Sequence, residues 1–256
     1  MSNTTVNKFA ITILAAGKGK RMKNPEMSKV MALLANKPLL AHVLEQARKL
    51  QPDKIVIIVG HKKEALIDFV NKNFDDIEFA EQNEQLGTGH AVAQTEPNFS
   101  EYSGDILILS GDVPLLRSAT LAKFADFHNS GRYDLSVLST STNEPFGYGR
   151  IIRDEDNIFL KIVEEKDANI EEKKINEINS GVYLVKSKLL FSALKQVQNN
   201  NTQNEYYLTD IIEILQKQGY KTGAFAGADI NELQGINSPA DLALAEKNYR
   251  EMYSND

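Results

Sequence analysis

The sequence predicts an α/β fold, with a mixed, mostly parallel sheet covered by helices. Three observations carry that expectation. Lys54–Val59 (KIVIIV) and Asp105–Leu109 (DILIL) are short, nearly all-apolar runs bounded by turn residues, the pattern of strands buried on both faces. Helical stretches separate these runs, as parallel pairing needs a long crossover. Near Pro145 the pattern changes to short runs divided by charged turns, which reads as an inserted, more antiparallel half.

Taken in order, Ala10–Leu14 is the first strand. The apolar segment Phe9–Gly17 also has the look of a short signal peptide. Its leading basic region is weak and a basic cluster follows at once, so a buried strand and a loop are expected instead. An amphipathic helix spans about Pro38 to Leu50, and the strand Lys54–Val59 lies between Pro52-Asp53 and Gly60. A helix then runs to about Asn73, followed by a short strand at Ile77–Ala80. Gly87-Thr88-Gly89 opens a short helix, Ala91–Thr95, ahead of Pro97. The strand Asp105–Leu109 ends at Ser110-Gly111-Asp112; the helix Ser118–Asn129 and the strand Leu135–Ser139 complete this half. Beyond Pro145, Gly147-Tyr148-Gly149, Ile151–Arg153, Phe159–Val163 and Ile178–Val185 read as strands, and Lys188–Gln196 and Tyr207–Lys217 as helices. Ser238-Pro239-Ala240-Asp241 starts the last helix, with Ser as N-cap, Pro in the first turn and an acid three residues on. Asn199-Asn200-Asn201 is a loop. With no internal repeat or long linker, residues 1–256 form one domain: a first half to about 143, a second over about 144–237, and a C-terminal helix over 238–256.

A chain of 256 residues, 42% hydrophobic, can bury a sizeable core. Its net charge of −6 argues against a whole-surface grip on nucleic acid or an anionic membrane. No apolar run reaches the length of a transmembrane helix. The absence of Cys removes disulfides, thiolate metal sites and Cys nucleophiles, and fits a reducing compartment. The four His are scattered, with no His-x-x-x-His pair.

Against that acidic background, Lys18 to Lys29 holds five basic residues and one acid, a local charge of +4. Leu14-Ala15-Ala16-Gly17-Lys18-Gly19-Lys20-Arg21-Met22 leaves the carboxyl end of the first strand, where open α/β sheets bind ligands. Small residues let backbone approach a ligand, and successive N–H groups make an anion-binding concavity. A polyphosphate is the natural partner; an exposed basic turn is the alternative. The loop is neither a Walker A motif nor a G-x-G-x-x-G fingerprint, since Met22 stands where the third Gly belongs.

This loop, with Lys29-Val30 seven residues further on, resembles the signature of sugar-1-phosphate nucleotidyltransferases, specifically the bacterial N-acetylglucosamine-1-phosphate uridyltransferases. The family usually has Pro where this chain has Ser28. Further matches follow in the family's order: Glu81–Ala91 (EQNEQLGTGHA), Gly111-Asp112-Val113-Pro114-Leu115, Pro145–Ile151 (PFGYGRI), Ile162–Asp167 (IVEEKD), Glu177–Gly181 (EINSG), Glu205–Asp210 (EYYLTD) and Gly235-Ile236-Asn237. Together they run from about Ala10 to Leu242. Ser110 occupies a position where Tyr or a small residue is expected, and a further departure is Ser238–Leu242 (SPADL) in place of Asn-Arg-x-x-Leu.

The resemblance implies a Rossmann-like nucleotidyltransferase fold and uridylyl transfer from UTP to N-acetylglucosamine-1-phosphate, in the cytoplasm, for cell-wall precursor biosynthesis. Arg21 and Lys29 would be catalytic, holding phosphates. Leu14, Ala15, Ala16, Gly17, Gln82, Gly87 and Thr88 would bind the nucleotide, the glycines admitting a flat base and the Gln82 amide reading its polar edge. Gly149, Glu164, Asn179 and Thr209 would meet the sugar, Thr209 also helping the preceding Tyr to enclose the phosphates. Asp112 and Asn237 would hold Mg²⁺, a hard cation suited to oxygen ligands and substrate phosphates. His90 reads as a first-turn surface residue, and Glu165-Lys166-Asp167 alone as a solvated charge run. The expected partners are UTP and a sugar-1-phosphate, without nucleic acid, membrane or an evident protein partner. Another nucleotide or acceptor, as in cytidylyltransferases, and a non-catalytic nucleotide-sugar-binding module remain the alternatives. Many relatives append a hexapeptide-repeat β-helix that acetylates glucosamine-1-phosphate; no such repeats occur here, so the nucleotidyltransferase unit alone is expected.

Overall fold

The computed structural model describes residues 9–17, 19–22 and 27–253. Lys18, Lys23 and Glu26 of the basic stretch, and 254–256 of the expected last helix, lie outside them.

The strands are β1 (Phe9–Leu14), β2 (Leu33–Leu34), β3 (Lys37–Pro38), β4 (Ile55–Val59), β5 (Ile77–Glu81), β6 (Asp105–Ser110), β7 (Leu135–Ser141), β8 (Arg150–Arg153), β9 (Phe159–Val163), β10 (Glu177–Lys186) and β11 (Thr222–Ala226). The α-helices are α1 (Leu39–Lys49), α2 (Lys63–Asn73), α3 (Thr88–Ala93), α4 (Ser118–Gly131), α5 (Ser187–Leu194), α6 (Ile211–Lys217) and α7 (Pro239–Tyr253). The main sheet runs β11-β7-β10-β6-β1-β4-β5, with β8 and β9 attached to β10. Its centre is parallel: β1 pairs with β4 and β6, and β4 with β5. The second half is threaded into this sheet, because β10 runs antiparallel between β6 and β7.

Alternate residues of each strand supply opposite cores. Ile11, Ile13, Ile57, Val59, Leu107 and Leu109 pack with apolar residues of α1, α2 and α4. Ala10, Val56, Ile58, Ile106, Ile108 and Val185 pack with α3, α5 and α6. Both faces need apolar side chains, which is why these strands read as unbroken hydrophobic runs. A smaller cluster of Leu34, Leu39, Leu115, Ile236 and Ala245 ties the β2–β3 hairpin to α7.

Some expectations need correction. Gly147-Tyr148-Gly149 is a turn, not a strand, with Gly147 at φ +88. The stretch Tyr207–Lys217 divides into a 3-10 turn, Leu208–Asp210, and α6. The sequence reading missed β11, whose Thr-Gly-Ala-Phe-Ala is small and only partly buried at the sheet edge, and the two-residue strands β2 and β3. The last helix starts as expected, with the Asp241 N–H donating to Ser238 Oγ at 3.3 Å. Among the described residues no helix is long and apolar enough to cross a membrane.

Candidate active site

The carboxyl ends of β1, β5 and β6 open on a cavity of about 280 Å³. Leu14, Ala15, Ala16 and Gly17 line it, together with Lys29, Gln82, Gly87, Thr88 and Asp112. Val30, Gln85, Ala91, Ser110 and Glu205 complete the lining. A larger hollow, about 550 Å³ beside Lys54 and Tyr102, lies toward the amino end of β4 and holds none of the expected site residues.

Three expected residues meet at one point. The Lys29 ammonium pairs with the Asp112 carboxylate and donates to Asn237 Oδ1 at 2.9 Å. Asp112 follows β6, and its carbonyl accepts the Ile236 N–H at 2.9 Å, which brings the Asn237 segment alongside. The departure SPAD contributes here: Asp241 Oδ2 accepts the Asn237 N–H at 2.9 Å. One carboxylate and one amide oxygen thus already face a shared cation. That donor set fits Mg²⁺, whose remaining positions phosphate and water can fill. No cluster of three His, Cys, Asp or Glu able to hold a metal exists among the described residues.

The cavity wall formed by Gln82, Gly87 and Thr88 is internally braced. Gln82 is buried, and its amide nitrogen donates to the Gly87 carbonyl at 3.1 Å and faces His90 Nδ1 at 3.2 Å. His90 is therefore a neighbour of Gln82 and not a free surface residue, correcting the sequence reading. Thr88 Oγ1 accepts the Leu208 N–H at 3.1 Å, and Gly89 donates to the Tyr206 carbonyl at 2.8 Å. Gln85, which the sequence reading left without a role, donates to the Ala16 carbonyl at 3.1 Å and so joins this wall to the first loop.

Gly149, Glu164, Asn179 and Thr209 also come together. A Cβ on Gly149 would stand 3.4 Å from Glu164 Oε2 and 3.6 Å from Asn179 Cβ. Thr209 Oγ1 donates to Glu164 Oε1 at 3.3 Å. Burial pushes the Glu164 carboxyl up, and neighbouring Asp210, Asp167 and Glu205 add to the shift, against the Thr209 hydrogen bond. Burial also raises Asp210, to about 6. The Asn179 amide is held from both ends, donating to Tyr183 Oη at 2.8 Å and accepting the Gly181 N–H at 2.9 Å. Tyr148 was missed by the sequence reading. Burial, and then Asp241 and Asp112, push its phenol up. Arg21, in a 3-10 turn, is exposed, and does not line the cavity.

The description of the family whose profile matches residues 10–231 is "Nucleotidyl transferase". "Bifunctional protein GlmU" of Streptococcus agalactiae is 43% identical over 242 residues, covering 94% of this chain and 52% of that protein. Its counterpart from Caldanaerobacter subterraneus is 45% identical over 242 residues, with the same coverage of 94% and 52%. The chain therefore spans about half the length of the curated relatives it matches. A solved UDP-glucose pyrophosphorylase complexed with UDP-glucose superposes with a TM-score of 0.78 at 19% identity, covering 96% of this chain and 99% of that one. A putative glucose-1-phosphate thymidylyltransferase from Bacillus anthracis gives 0.74 at 18% identity, covering 95% and 96%. These two share the fold. With the profile spanning most of its length, the chain belongs to the nucleotidyl transferase family.

Proposed function

We propose that the chain transfers a uridylyl group from UTP to N-acetylglucosamine-1-phosphate, forming UDP-N-acetylglucosamine and pyrophosphate. The observation that carries this reading is the meeting of Lys29, Asp112 and Asn237 at a cavity also lined by Gln82, Gly87 and Thr88. The identity to the GlmU proteins supports it. A sugar phosphate oxygen attacks the α-phosphorus of UTP, and the bond from that phosphorus to the bridging oxygen breaks as pyrophosphate departs. The reaction needs no covalent enzyme intermediate; positioning and charge stabilisation suffice.

In this reading Lys29 and Arg21 hold the phosphates, the backbone of residues 14–17 approaches them, and the fixed Gln82 amide reads the uracil edge. Glu164 accepts from sugar hydroxyls, beside Asn179, Gly149 and Thr209. Asp112 and Asn237 would hold Mg²⁺, which neutralises and orients the triphosphate. Residues 1–143 then serve the nucleotide, 144–237 the sugar, and 238–256 close the single domain. A cytoplasmic location, without nucleic acid or membrane as partner, belongs to the same proposal.

Pyrophosphate release across a grid of nucleotides and sugar phosphates, with Mg²⁺ added and removed, tests it. UTP with N-acetylglucosamine-1-phosphate is expected to be the preferred pair, and to depend on Mg²⁺. Preference for CTP would move the chain to cytidylyl transfer. Binding of UDP-N-acetylglucosamine with no turnover would make it a binding module. Asp112→Ala is expected to cost about 10²–10³ in rate with the fold retained; a normal rate would sink the metal assignment.

A further inference from the structure

Arg150 is the bulkiest fully buried side chain among the described residues, 1% exposed. It pairs with Glu165, Nη2 to Oε2 at 2.7 Å. Arg150 is buried and Glu165 half-buried, and burying a guanidinium costs desolvation that an ion pair seldom offsets by more than apolar side chains of equal volume would gain. Here the arrangement is not even complete, because Arg150 Nε is buried without a hydrogen-bond partner among the described residues. Stability alone is a poor reason for this pair.

What the pair holds gives a better one. Arg150 Nη1 donates to the Tyr148 carbonyl, and the oxygen of Glu165 that takes Nη2 also accepts the Gly147 N–H at 3.2 Å. The turn at 145–149 is thus gripped at a carbonyl and at an N–H. That turn sets Gly149 against Glu164 and Asn179. Glu165 directly follows Glu164, so one pair fixes the turn against the segment bearing the buried carboxylate. Its hydrogen-bond partners include none of Gln82, Gly87 and Thr88.

We infer that Arg150 and Glu165 are positioning residues for the acceptor sugar phosphate, setting the spacing between Gly149 and Glu164 while leaving nucleotide binding untouched. This rests on the function proposed above. Removal of the pair raises KM for the acceptor and not for the nucleotide, since only the acceptor side loses its alignment.

The test compares the wild type with Arg150→Met, Arg150→Lys and the double variant Arg150→Met/Glu165→Met. Arg150→Met leaves the half-buried Glu165 without its ionic partner and the Tyr148 carbonyl without its donor, so its Tm falls. The double variant removes both charges at similar volume, so its Tm recovers. In all three, KM for the sugar phosphate is expected to rise at least tenfold, with KM and calorimetric Kd for UTP within twofold of wild type. A double variant that recovers both Tm and the wild-type acceptor KM would show the pair to be merely structural and overturn the inference. A parallel rise in both KM values would overturn it too. Should the double variant fail to fold, Arg150→Lys decides: it keeps the charge but loses the fork, and a wild-type acceptor KM refutes the role. If the wild type prefers another sugar phosphate, only the acceptor's identity changes and the comparison is made with that compound. If it turns over no sugar phosphate at all, both readings fall.

Discussion

Gly87 sits at φ +114, and a Cβ there would lie 2.6 Å from the Tyr206 carbonyl oxygen and 2.8 Å from the Tyr206 nitrogen. The neighbour demanding glycine is therefore backbone of this chain, whereas the motif was read as admitting a flat base. Gly87→Ala is expected to lower stability by roughly 1–3 kcal/mol, from left-handed strain and the contact with main chain. It is also expected to raise KM for UTP, since Gln82 is anchored on the Gly87 carbonyl. An unchanged urea midpoint would show that the Tyr206 segment yields. The ordered motifs named the residues that gather at the site, but not who holds whom. Lys29 meets Asn237, Thr88 meets Leu208 and Arg150 meets Glu165 across long stretches of chain, and such pairings leave no local spacing to read. Glu165 and Asp167, read as a solvated run, are bound: Asp167 accepts from the Thr202 N–H and from Tyr207 Oη.

Among the elements, legibility followed burial and length. The central strands β4 and β6 are buried along nearly their whole length, and were readable as apolar runs. The edge strand β11 is built of small, partly buried residues, and β2 and β3 are only two residues each, too short to stand out. The 3-10 turn Lys29–Met31 carries the lysine that meets Asp112 and Asn237, and its capping residue is the atypical Ser28, at φ −59 and ψ 138. These angles suit proline, and the buried Ser28 hydroxyl has no hydrogen-bond partner among the described residues. Ser28→Pro is therefore expected to stabilise by about 0.4–1 kcal/mol, by narrowing the unfolded ensemble, with kcat unchanged. A lower melting temperature would mean that the Ser28 N–H or hydroxyl does serve the loop.

For the whole molecule, His128 links stability to pH. It lies in the interior with Nδ1 2.9 Å from Ser136 Oγ and Nε2 3.7 Å from Asp105 Oδ2. Burial, helped by Lys186 and opposed by Asp134, lowers its pKa from 6.5 to about 4. As the pH falls through that interval, the unfolded chain takes up a proton that the native ring refuses, and stability drops by up to about 3 kcal/mol. Asp105, raised by burial, contributes with the opposite sign, losing stability as pH rises through its folded value. Urea midpoints at pH 7 and pH 5 are expected to differ more for the wild type than for His128→Gln; equal differences would remove His128 from the account. The place of β10 between β6 and β7 has a consequence for synthesis. As the chain emerges, β6 and β7 are complete while the strand that joins them has yet to be made: β6 exposes one open row of backbone groups until residue 186 arrives, and β7 exposes two, the second until β11 ends at residue 226. A chain ending soon after residue 143 would thus hold unpaired strand edges on β6 and on both sides of β7 instead of a finished sheet.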